Sequence, residues 1–345
     1  MDKKMRKSYK YLILILVFSV AFSSQARSEI SINLETASPS EIFRHANYLE
    51  QMMMYDGADK SKLKEESMYY FLVAAERGHV KAQRFFGGRA LGFGKSRNVE
   101  LGIKWLKIAA SNGNVPSMSI LGGHYSFNVV PDYYLAMEWY KKASKLGDGY
   151  SSQRLGELYE KGLGIEQDFA AAAKWYELAM KQSANKYGID KLAKLYKEGK
   201  GVPKNLVHSL ELYREALITQ DNARGLNTSI ADFYENGLGV EKDLRKAASF
   251  YREDAMRAYY LAQLRLGQMY EEGRGVPQDL NAAFALYSIA ATCLYYGALS
   301  TDEAINSRER VLSKFSGTES FSAQKSIKTY REAIIGNFGL PEACL

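Results

Sequence analysis

Small and apolar positions recur along this chain in one order, with a mean step of 36 residues between successive copies. In each copy a large apolar residue precedes a small one, and the small position is held by Gly87, Gly122, Gly156, Ala193, Ala231 and Gly267. The steps between them are 35, 34, 37, 38 and 36 residues. A period in this range is typical of a solenoid, in which each unit packs mainly against its neighbours. The pattern therefore favours a binding surface over an enzyme.

A second, stricter pattern predicts where one helix of each copy begins. Every copy has Asp or Asn at the same place, namely Asn98, Asp132, Asp168, Asn205, Asp243 and Asp279. These side chains accept hydrogen bonds from the free N–H groups of a first helical turn. Four residues later comes a small residue, and three further on comes a large apolar one: Trp105, Trp139, Trp175, Leu212, Phe250 or Leu286. Since positions three and four apart share a helix face, we expect this residue, as at Trp175, to be buried between helices.

In five of the six copies the other helix ends in a tyrosine followed by a turn. In most copies the turn contains two glycines, such as Gly162 and Gly164, which stop a helix. Two copies depart from the pattern: residues 127–131 replace the glycine turn after Tyr125, and Asp254 stands where alanine is expected. We expect these two copies to pack differently from the rest.

These residues resemble the Sel1-like repeat, a relative of the tetratricopeptide repeat. The segments Leu155 to Ala179 and Leu266 to Ala290 follow the family pattern almost throughout, and the resemblance covers about residues 40 to 297. It implies an all-α fold, a right-handed α/α solenoid with a concave groove. The resemblance also implies an adaptor that binds other macromolecules.

On this basis we expect residues 27–345 to form a single α-solenoid. A degenerate first unit covers about residues 40–78, where Ser67, Tyr70, Phe71 and Ala74 fit the second-helix pattern but Leu63 replaces the capping residue. Six repeats follow over about residues 79–297. A helical cap covers about residues 298–345, with one helix from a capping box at residues 300–303 to about Phe315. Terminal units of a solenoid are expected to be atypical because one face meets water.

The N-terminal segment predicts the compartment. Five basic residues precede an apolar run from Tyr11 to Phe22, and residues 24–26 offer a small-x-small cleavage site. We therefore predict a signal peptide over residues 1–26, cleaved after Ala26, and a periplasmic or secreted protein. The alternative is an uncleaved inner-membrane anchor, although the apolar run is shorter than the roughly 20 residues that span a bilayer. No cysteine follows the run to accept a lipid anchor.

The predicted signal segment also changes the charge balance. It contains five basic residues and one acid, and so accounts for +4 of the formal net charge of +7, leaving +3. So small an excess does not indicate nucleic-acid binding. The tyrosines recur at positions of the repeat, which favours packing between helices over stacking on bases.

Motifs of catalysis and cofactor binding are sparse. The histidines His45, His79, His124 and His208 are too scattered to predict a metal site, and no zinc-protease or hydrolase motif occurs. The glycine pairs lack the preceding strand that a phosphate-binding loop requires. S-x-x-K tetrads begin at Ser61, Ser183 and Ser322, but K-T-G and S-D-N are absent, so β-lactam hydrolysis, known for cysteine-rich relatives, is a remote alternative. We predict no catalytic residue, no cofactor and no metal.

Two cysteines suit an oxidising compartment. A bond between Cys293 and Cys344 would tie the cap to the last repeat and close a loop of about 50 residues. The alternative is two buried or free thiols, because the sequence does not show whether the two residues approach within bonding range.

The leading hypothesis for function is a scaffold that holds a protein partner in the groove formed by first helices. Its candidate binding residues are the variable polar positions beside the template ones: Gln153, Arg154, Glu157, Lys191, Lys194, Asp232, Arg265 and Gln268. A solvated helix face is the competing interpretation of such positions. The alternative function is a cell-envelope glycan role, either peptidoglycan binding or assistance to exopolysaccharide export, in which exposed tyrosines stack on sugars.

Overall fold

A computed structural model describes residues 32–54, 59–92, 98–183, 187–219, 225–292, 302–315, 324–330 and 332. Within these ranges the regular secondary structure is α-helical, and successive helices pack against one another as in an all-α solenoid of helix pairs. The predicted signal peptide and both Cys293 and Cys344 lie outside the described residues. The disulfide therefore stays a prediction.

The chain divides into two compact units, Met1–Ser117 and Met118–Leu345. The first unit contains α1 (Pro39–Met52), α2 (Lys60–Glu76), α3 (Val80–Leu91) and α4 (Val99–Ser111). Helix α1 packs on α2, α2 on α3 and α3 on α4. The core of this unit therefore lies between consecutive helices, as the repeat pattern predicts.

The second unit takes in most of α5 (Val115–Phe127) and the helices that follow. These are α6 (Tyr133–Lys145), α7 (Gly149–Lys161), α8 (Phe169–Gln182), α9 (Ile189–Glu198), α10 (Leu206–Thr219), α11 (Leu226–Asn236), α12 (Leu244–Met256), α13 (Tyr260–Glu272), α14 (Leu280–Thr292) and α15 (Asp302–Leu312). From α6 onward each helix packs on the next. Helix α15 lies in the segment predicted to form a cap, and residues 324–330 of the same segment are also helical.

The predicted helix starts are confirmed at all six Asp or Asn positions. In each case the side-chain oxygen accepts a hydrogen bond from the backbone N–H three residues later, at 2.9–3.0 Å. Each of the six side chains therefore satisfies an N–H group that the helix itself leaves without a partner. The degenerate first unit begins its second helix one turn earlier than expected. There Asp59, which accepts from the N–H of Lys62 at 3.2 Å, caps α2 in place of Leu63.

The glycine turns connect the two helices of a pair as predicted. Gly162 and Gly164 have φ of +66° and +74°, which side chains with a Cβ rarely adopt. The backbone then returns so that the N–H of Asp168 donates to the carbonyl of Tyr159 at 3.0 Å. This bond joins the end of the first helix to the cap of the second, and it recurs in the neighbouring repeats.

The prediction that the tryptophans are buried between helices is wrong. Trp175 is only partly buried, and so are Trp105, Trp139 and Phe250. At the predicted position only Leu212 and Leu286 are buried, whereas the next residue along the helix is fully or almost fully buried in all six copies: Leu106, Tyr140, Tyr176, Tyr213, Tyr251 and Tyr287. One residue turns a helix face by about 100°, so the sequence pattern alone placed the core one position early. We call the last five of these residues the second-helix tyrosines.

The small first-helix position exists to admit the second-helix tyrosine. A Cβ at Gly156 would lie 2.5 Å from the ring of Tyr176, and one at Gly122 would lie 2.6 Å from the ring of Tyr140. These distances are far below van der Waals contact. The recurrent spacing between the small residue and the second-helix tyrosine therefore allows an aromatic ring to pack directly on the backbone of the first helix.

The departure at Asp254 changes the packing of its repeat. Helix α11 follows Gly225, which offers no side chain to cap it. Asp254, buried on α12, supplies the cap instead: it accepts from the N–H and hydroxyl of Thr228, both at 2.8 Å, and from the amide of Asn227 at 3.1 Å. The carboxylate of one helix thus satisfies the first turn of its partner.

We expect Asp254→Ala to lower the free energy of unfolding by about 2 kcal/mol, because it leaves buried donors of α11 without partners. Urea unfolding followed by circular dichroism measures this. The control is Glu253→Ala, one residue away and exposed, for which the change is expected to stay within about 0.5 kcal/mol. Equal effects of the two substitutions would show that the cap contributes nothing.

Candidate functional site

The predicted binding residues all lie on first helices of the second unit. They occupy α7, α9, α11 and α13, and we call the surface that they share the first-helix face: Gln153, Arg154, Glu157, Lys191, Lys194, Asp232, Arg265 and Gln268. Side-chain contacts continue this face from repeat to repeat. Ser119 on α5 meets Ser151 on α7 at 2.9 Å, and Lys197 on α9 bonds Asp232 on α11 at 2.5 Å.

Three of the candidate residues form one cluster on α7. Arg154 and Glu157 are paired, and Gln153 donates from its amide to Glu157 at 2.8 Å. The Arg154 guanidinium also stacks on the ring of Phe127, 4.6 Å from its centre. Despite the cost of burial, the charge of Glu157 raises the pKa of Arg154, so this cation is held in place on the face.

The remaining candidates are paired more loosely. Lys191 and Lys194 are 41% and 54% exposed, and their carboxylate partners, Asp190 at 3.6 Å and Glu198 at 3.9 Å, lie on the same helix. At the other end of the face, the guanidinium of Arg265 donates to Gln268 at 3.1 Å. Gln268 in turn donates to Glu303 of α15 at 3.3 Å. Helix α9 therefore presents two accessible cations whose ion pairs stay within the helix.

Beneath the first-helix face lies a row of hydroxyl–carboxylate bonds that sequence reasoning missed. In three repeats the second-helix tyrosine donates to a glutamate of the first helix. The pairs are Tyr176 with Glu160 at 2.5 Å, Tyr251 with Glu235 at 2.7 Å and Tyr287 with Glu271 at 3.0 Å. Burial, and then the bonded carboxylate, raise the pKa of Tyr176 and of Tyr251 well above the ordinary value.

A regular signal for these pairs was present in the sequence. The glutamates all stand four residues after the small first-helix residue, where the same positions in two other repeats hold Ser126 and Lys197. The second-helix tyrosine that donates the hydroxyl stands one residue after the tryptophan position, and the sequence pattern predicted that the tryptophan position is the buried one. Only the packing shows that these two positions meet.

Two of the glutamates also bind a cation from the following repeat or cap. Glu235 accepts from Arg274 at 2.8 Å. Glu271, whose side chain is 7% exposed, accepts from Arg310 at 2.7 and 3.0 Å and from Lys314 at 2.9 Å. The bond from Arg310, with those from Lys314 and Tyr287, lowers the pKa of Glu271 to about 2 despite its burial. Helix α15 is thus held to the last repeat by charge-assisted bonds.

The low pKa of Glu271 predicts a pH-dependent contribution to stability. A carboxyl whose folded pKa is below its unfolded value stabilises the fold above the unfolded pKa, here 4.5, and that contribution falls as the pH drops towards about 2. After allowance for the exposure of the two cations, we expect Glu271→Gln to lower the free energy of unfolding by about 2 kcal/mol at neutral pH.

Unfolding of wild type and Glu271→Gln at several pH values checks this expectation. The difference between them should shrink between pH 4.5 and pH 2. Glu272→Gln is the matched control, since that neighbouring side chain is 55% exposed. A difference that stays constant over this pH range would contradict the assigned role.

His79 and His124 pack against aromatic rings, and His79 also caps a helix. Nδ1 of His79 accepts from the N–H of Ala82 at 3.1 Å, and its ring stacks on Phe43 at 4.4 Å. His124 lies edge-on to the ring of Tyr125. Within the described ranges, no group of three His, Cys, Asp or Glu side chains is placed to hold a metal ion.

In the described part of the chain, no helix combines the length and the apolar character that crossing a bilayer requires.

The helix pairs, their caps and their aromatic packing define a class of protein, the helical repeat solenoids. Within that class the chain belongs to the Sel1 repeat family. The family model matches residues 43–79, 80–114, 116–148, 150–183, 186–217, 228–253 and 261–293. Sel1 repeat proteins are in general scaffolds for protein interaction, and they bind protein partners.

Two solved structures are similar to this chain. A Sel1 repeat protein from Oxalobacter formigenes is 30% identical, with 60% of this chain and 84% of that one covered and a TM-score of 0.54. A protective antigen of uropathogenic Escherichia coli, which displays an SLR fold, is 21% identical, with coverage of 86% and 77% and a TM-score of 0.38. Comparison with the curated proteins finds no match.

Proposed function

We propose that this chain is a non-enzymatic, periplasmic or secreted scaffold that binds a protein partner on the first-helix face. The observation that carries the proposal is a difference between buried and surface positions of the first helices. Buried template residues are the same in kind from repeat to repeat, whereas the side chain one residue after the small position changes in charge from Glu157 to Lys194 to Asp232. A surface with varied charges on a regular support suits specific recognition.

Helix α9 is the part of this face best suited to a test. Lys191 and Lys194 are accessible, and reversal of their charge removes no bond to another repeat. The double variant Lys191→Glu, Lys194→Glu is therefore expected to fold normally and to lose a partner that recognises the face. The matched control reverses two exposed lysines of a second helix, Lys174 and Lys181 of α8.

The experiment is chemical cross-linking in a bacterial host, followed by purification of the chain and identification of stoichiometric partners. The Lys191→Glu, Lys194→Glu variant should recover the partner at a tenth of the wild-type yield or less. A loss of roughly this size is expected when like charges face each other in an interface. The control should recover it unchanged. A partner that is lost equally from both variants, or from neither, would contradict binding on this face.

The proposed compartment has its own measurement. N-terminal sequencing of the chain from the periplasmic or secreted fraction is expected to begin at Arg27. A chain that keeps its first residues and sediments with the inner membrane would favour the anchored alternative.

The glycan alternative is settled by sedimentation of the purified chain with cell-wall sacculi. Among the described tyrosines, the more exposed ones are Tyr48, Tyr134 and Tyr150. These are outside the set of tyrosines that ends the first helices. Co-sedimentation with sacculi without a protein partner would replace the scaffold proposal.

A further inference from the structure

The repeat around Gly122 lacks the carboxylate that three other repeats provide. The second-helix tyrosine of this repeat is Tyr140, fully buried like Tyr176, Tyr251 and Tyr287. Where those three donate to a glutamate, the corresponding first-helix residue here is Ser126. The chain therefore repeats the donor but not the acceptor.

The polar atoms at this place are buried and without hydrogen-bond partners. By distance and angle, the hydroxyl groups of Tyr140 and Ser126 and Nε of Arg154 complete no hydrogen bond. Tyr140 lies close enough to Ser126 and to Arg154 for weak polar contact with both. Burial raises the pKa of Tyr140, while the adjacent Ser126 and Arg154 oppose that rise, so the three side chains adjoin one another. Buried polar groups in native proteins are almost always satisfied, and a cluster that is not calls for an explanation.

Space next to the cluster is open as well. Four other repeats carry Glu157, Lys194, Asp232 or Gln268 one residue after the small position. This repeat has Gly123 there, and the repeat at Gly87, whose second helix has Leu106 in place of the tyrosine, has Gly88. A Cβ at Gly123 would meet one atom within 4 Å, the Tyr140 hydroxyl at 3.8 Å. Helix α5 therefore leaves a gap in the first-helix face directly beside the unpartnered hydroxyl.

We infer that this gap is a subsite for a carboxylate of the protein partner, bound by the Tyr140 and Ser126 hydroxyls and by Arg154. The ligand oxygen would take the place that Glu160, Glu235 and Glu271 fill in the other repeats. Charge-assisted hydrogen bonds from hydroxyls and a guanidinium are the strong ones available to such an anion. The carboxylate is either an Asp or Glu side chain or a chain terminus, and both offer the same atoms.

The surroundings indicate what accompanies the carboxylate. The turn over residues 127–131, which replaces the glycine turn, exposes Phe127, Val129 and Val130 by 66%, 97% and 80%. Phe127 also stacks on Arg154. A partner that places an acidic group in the subsite thus meets apolar side chains beside it, and an acidic peptide with flanking apolar residues fits both features.

The inference rests on the proposed function and is tested with short labelled peptides and the full chain. Fluorescence anisotropy compares a capped pentapeptide, Ala-Val-Asp-Val-Ala, with its Asn counterpart. It also compares Ala-Val-Ala-Val-Ala with a free and with an amidated C-terminus. The first pair reports a side-chain carboxylate and the second a terminal one. At least one peptide with a free carboxylate is expected to bind at least about tenfold more tightly than its neutral counterpart. This difference corresponds to the free energy of one hydrogen bond to a charged group.

Three variants locate the binding. Tyr140→Phe should weaken the acidic peptide about tenfold and leave the neutral one unchanged. Ser126→Glu supplies the missing carboxylate from within the chain, and should abolish selectivity while the thermal midpoint is maintained or raised. Tyr176→Phe is the matched control, because the hydroxyl that it removes is already bonded to Glu160 and peptide binding should not change.

Other results would overturn the inference. Equal affinity for acidic and neutral peptides would do so, as would no binding at millimolar concentration or an equal effect of Tyr140→Phe and Tyr176→Phe. A cross-linked partner whose recovery is unaffected by Ser126→Glu would also refute the subsite, yet leave the scaffold proposal standing. Conversely, selective peptide binding without any cross-linked partner would refute the scaffold proposal alone.

Discussion

Replacement of Tyr176 by alanine is expected to lower the free energy of unfolding by about 3–5 kcal/mol, the range for removal of a large aromatic side chain from a core. Tyr176 is fully buried, its ring packs on the backbone of Gly156, and its hydroxyl bonds Glu160. The substitution therefore opens a cavity between α7 and α8 and leaves a partly buried carboxylate without its donor.

Trp175→Ala is the matched control, one residue away and only partly buried. It should cost no more than about half as much, because less apolar area returns to water. Thermal and urea unfolding of both variants measure the difference, and hydrogen exchange should show the damage first in α7 and α8, since coupling in a solenoid is between neighbours. A greater loss from Trp175→Ala would restore the interpretation that the structure corrects.

The second large effect is expected at the turn between α13 and α14. Gly275→Ala should lower the free energy of unfolding by about 3 kcal/mol or more, since two costs combine there. Its φ of +71° is in the left-handed region, and a Cβ would lie 2.4 Å from the backbone carbonyl carbon of Leu244. Backbone of the preceding repeat has little freedom to move away.

Gly273→Ala separates the two costs within the same turn. Its φ is +68°, so the conformational strain is the same, but the nearest atom to a new Cβ is 3.4 Å away, in the side chain of Gln278. We expect a loss of about 1 kcal/mol. Similar thermal midpoints for the two variants would mean that the close approach of the turn to Leu244 is not part of the stable fold.

Both comparisons show how the repeats hold one another. Each glycine turn lies against the start of the second helix of the preceding repeat, as Gly201 does against Phe169. Arg274 and Arg310 reach back in the same direction to Glu235 and Glu271. Backbone contacts and ion pairs thus link neighbouring repeats, and these links maintain the spacing of the candidate binding residues on the first-helix face.

The Tyr140 subsite lies where one repeat departs from the regular pairing of tyrosine with glutamate. Three repeats satisfy the tyrosine hydroxyl internally, and the one with Ser126 does not. The departure from the glycine turn, at residues 127–131, is in the same repeat. Two independent departures from the pattern therefore coincide at one place on the surface, which is where a repeat protein can differ in function without loss of its stack.

The sequence by itself determined the features that depend on a few neighbouring residues. The period, the helix starts at residues such as Asp168 and the glycine stops at Gly162 follow from local rules of capping and backbone conformation. They were predicted correctly because both partners of each interaction lie within one turn of helix. The family resemblance rested on the same local signals.

Only the tertiary structure decided which side chains meet between helices. It placed Tyr176 rather than Trp175 in the core, gave α11 its cap from Asp254, and joined Glu271 to Arg310 across 39 residues of sequence. A rotation of one residue about a helix exchanges core and surface, and sequence periodicity does not resolve so small an angle. The unpaired Tyr140 hydroxyl is visible for the same reason: its missing partner is defined by packing.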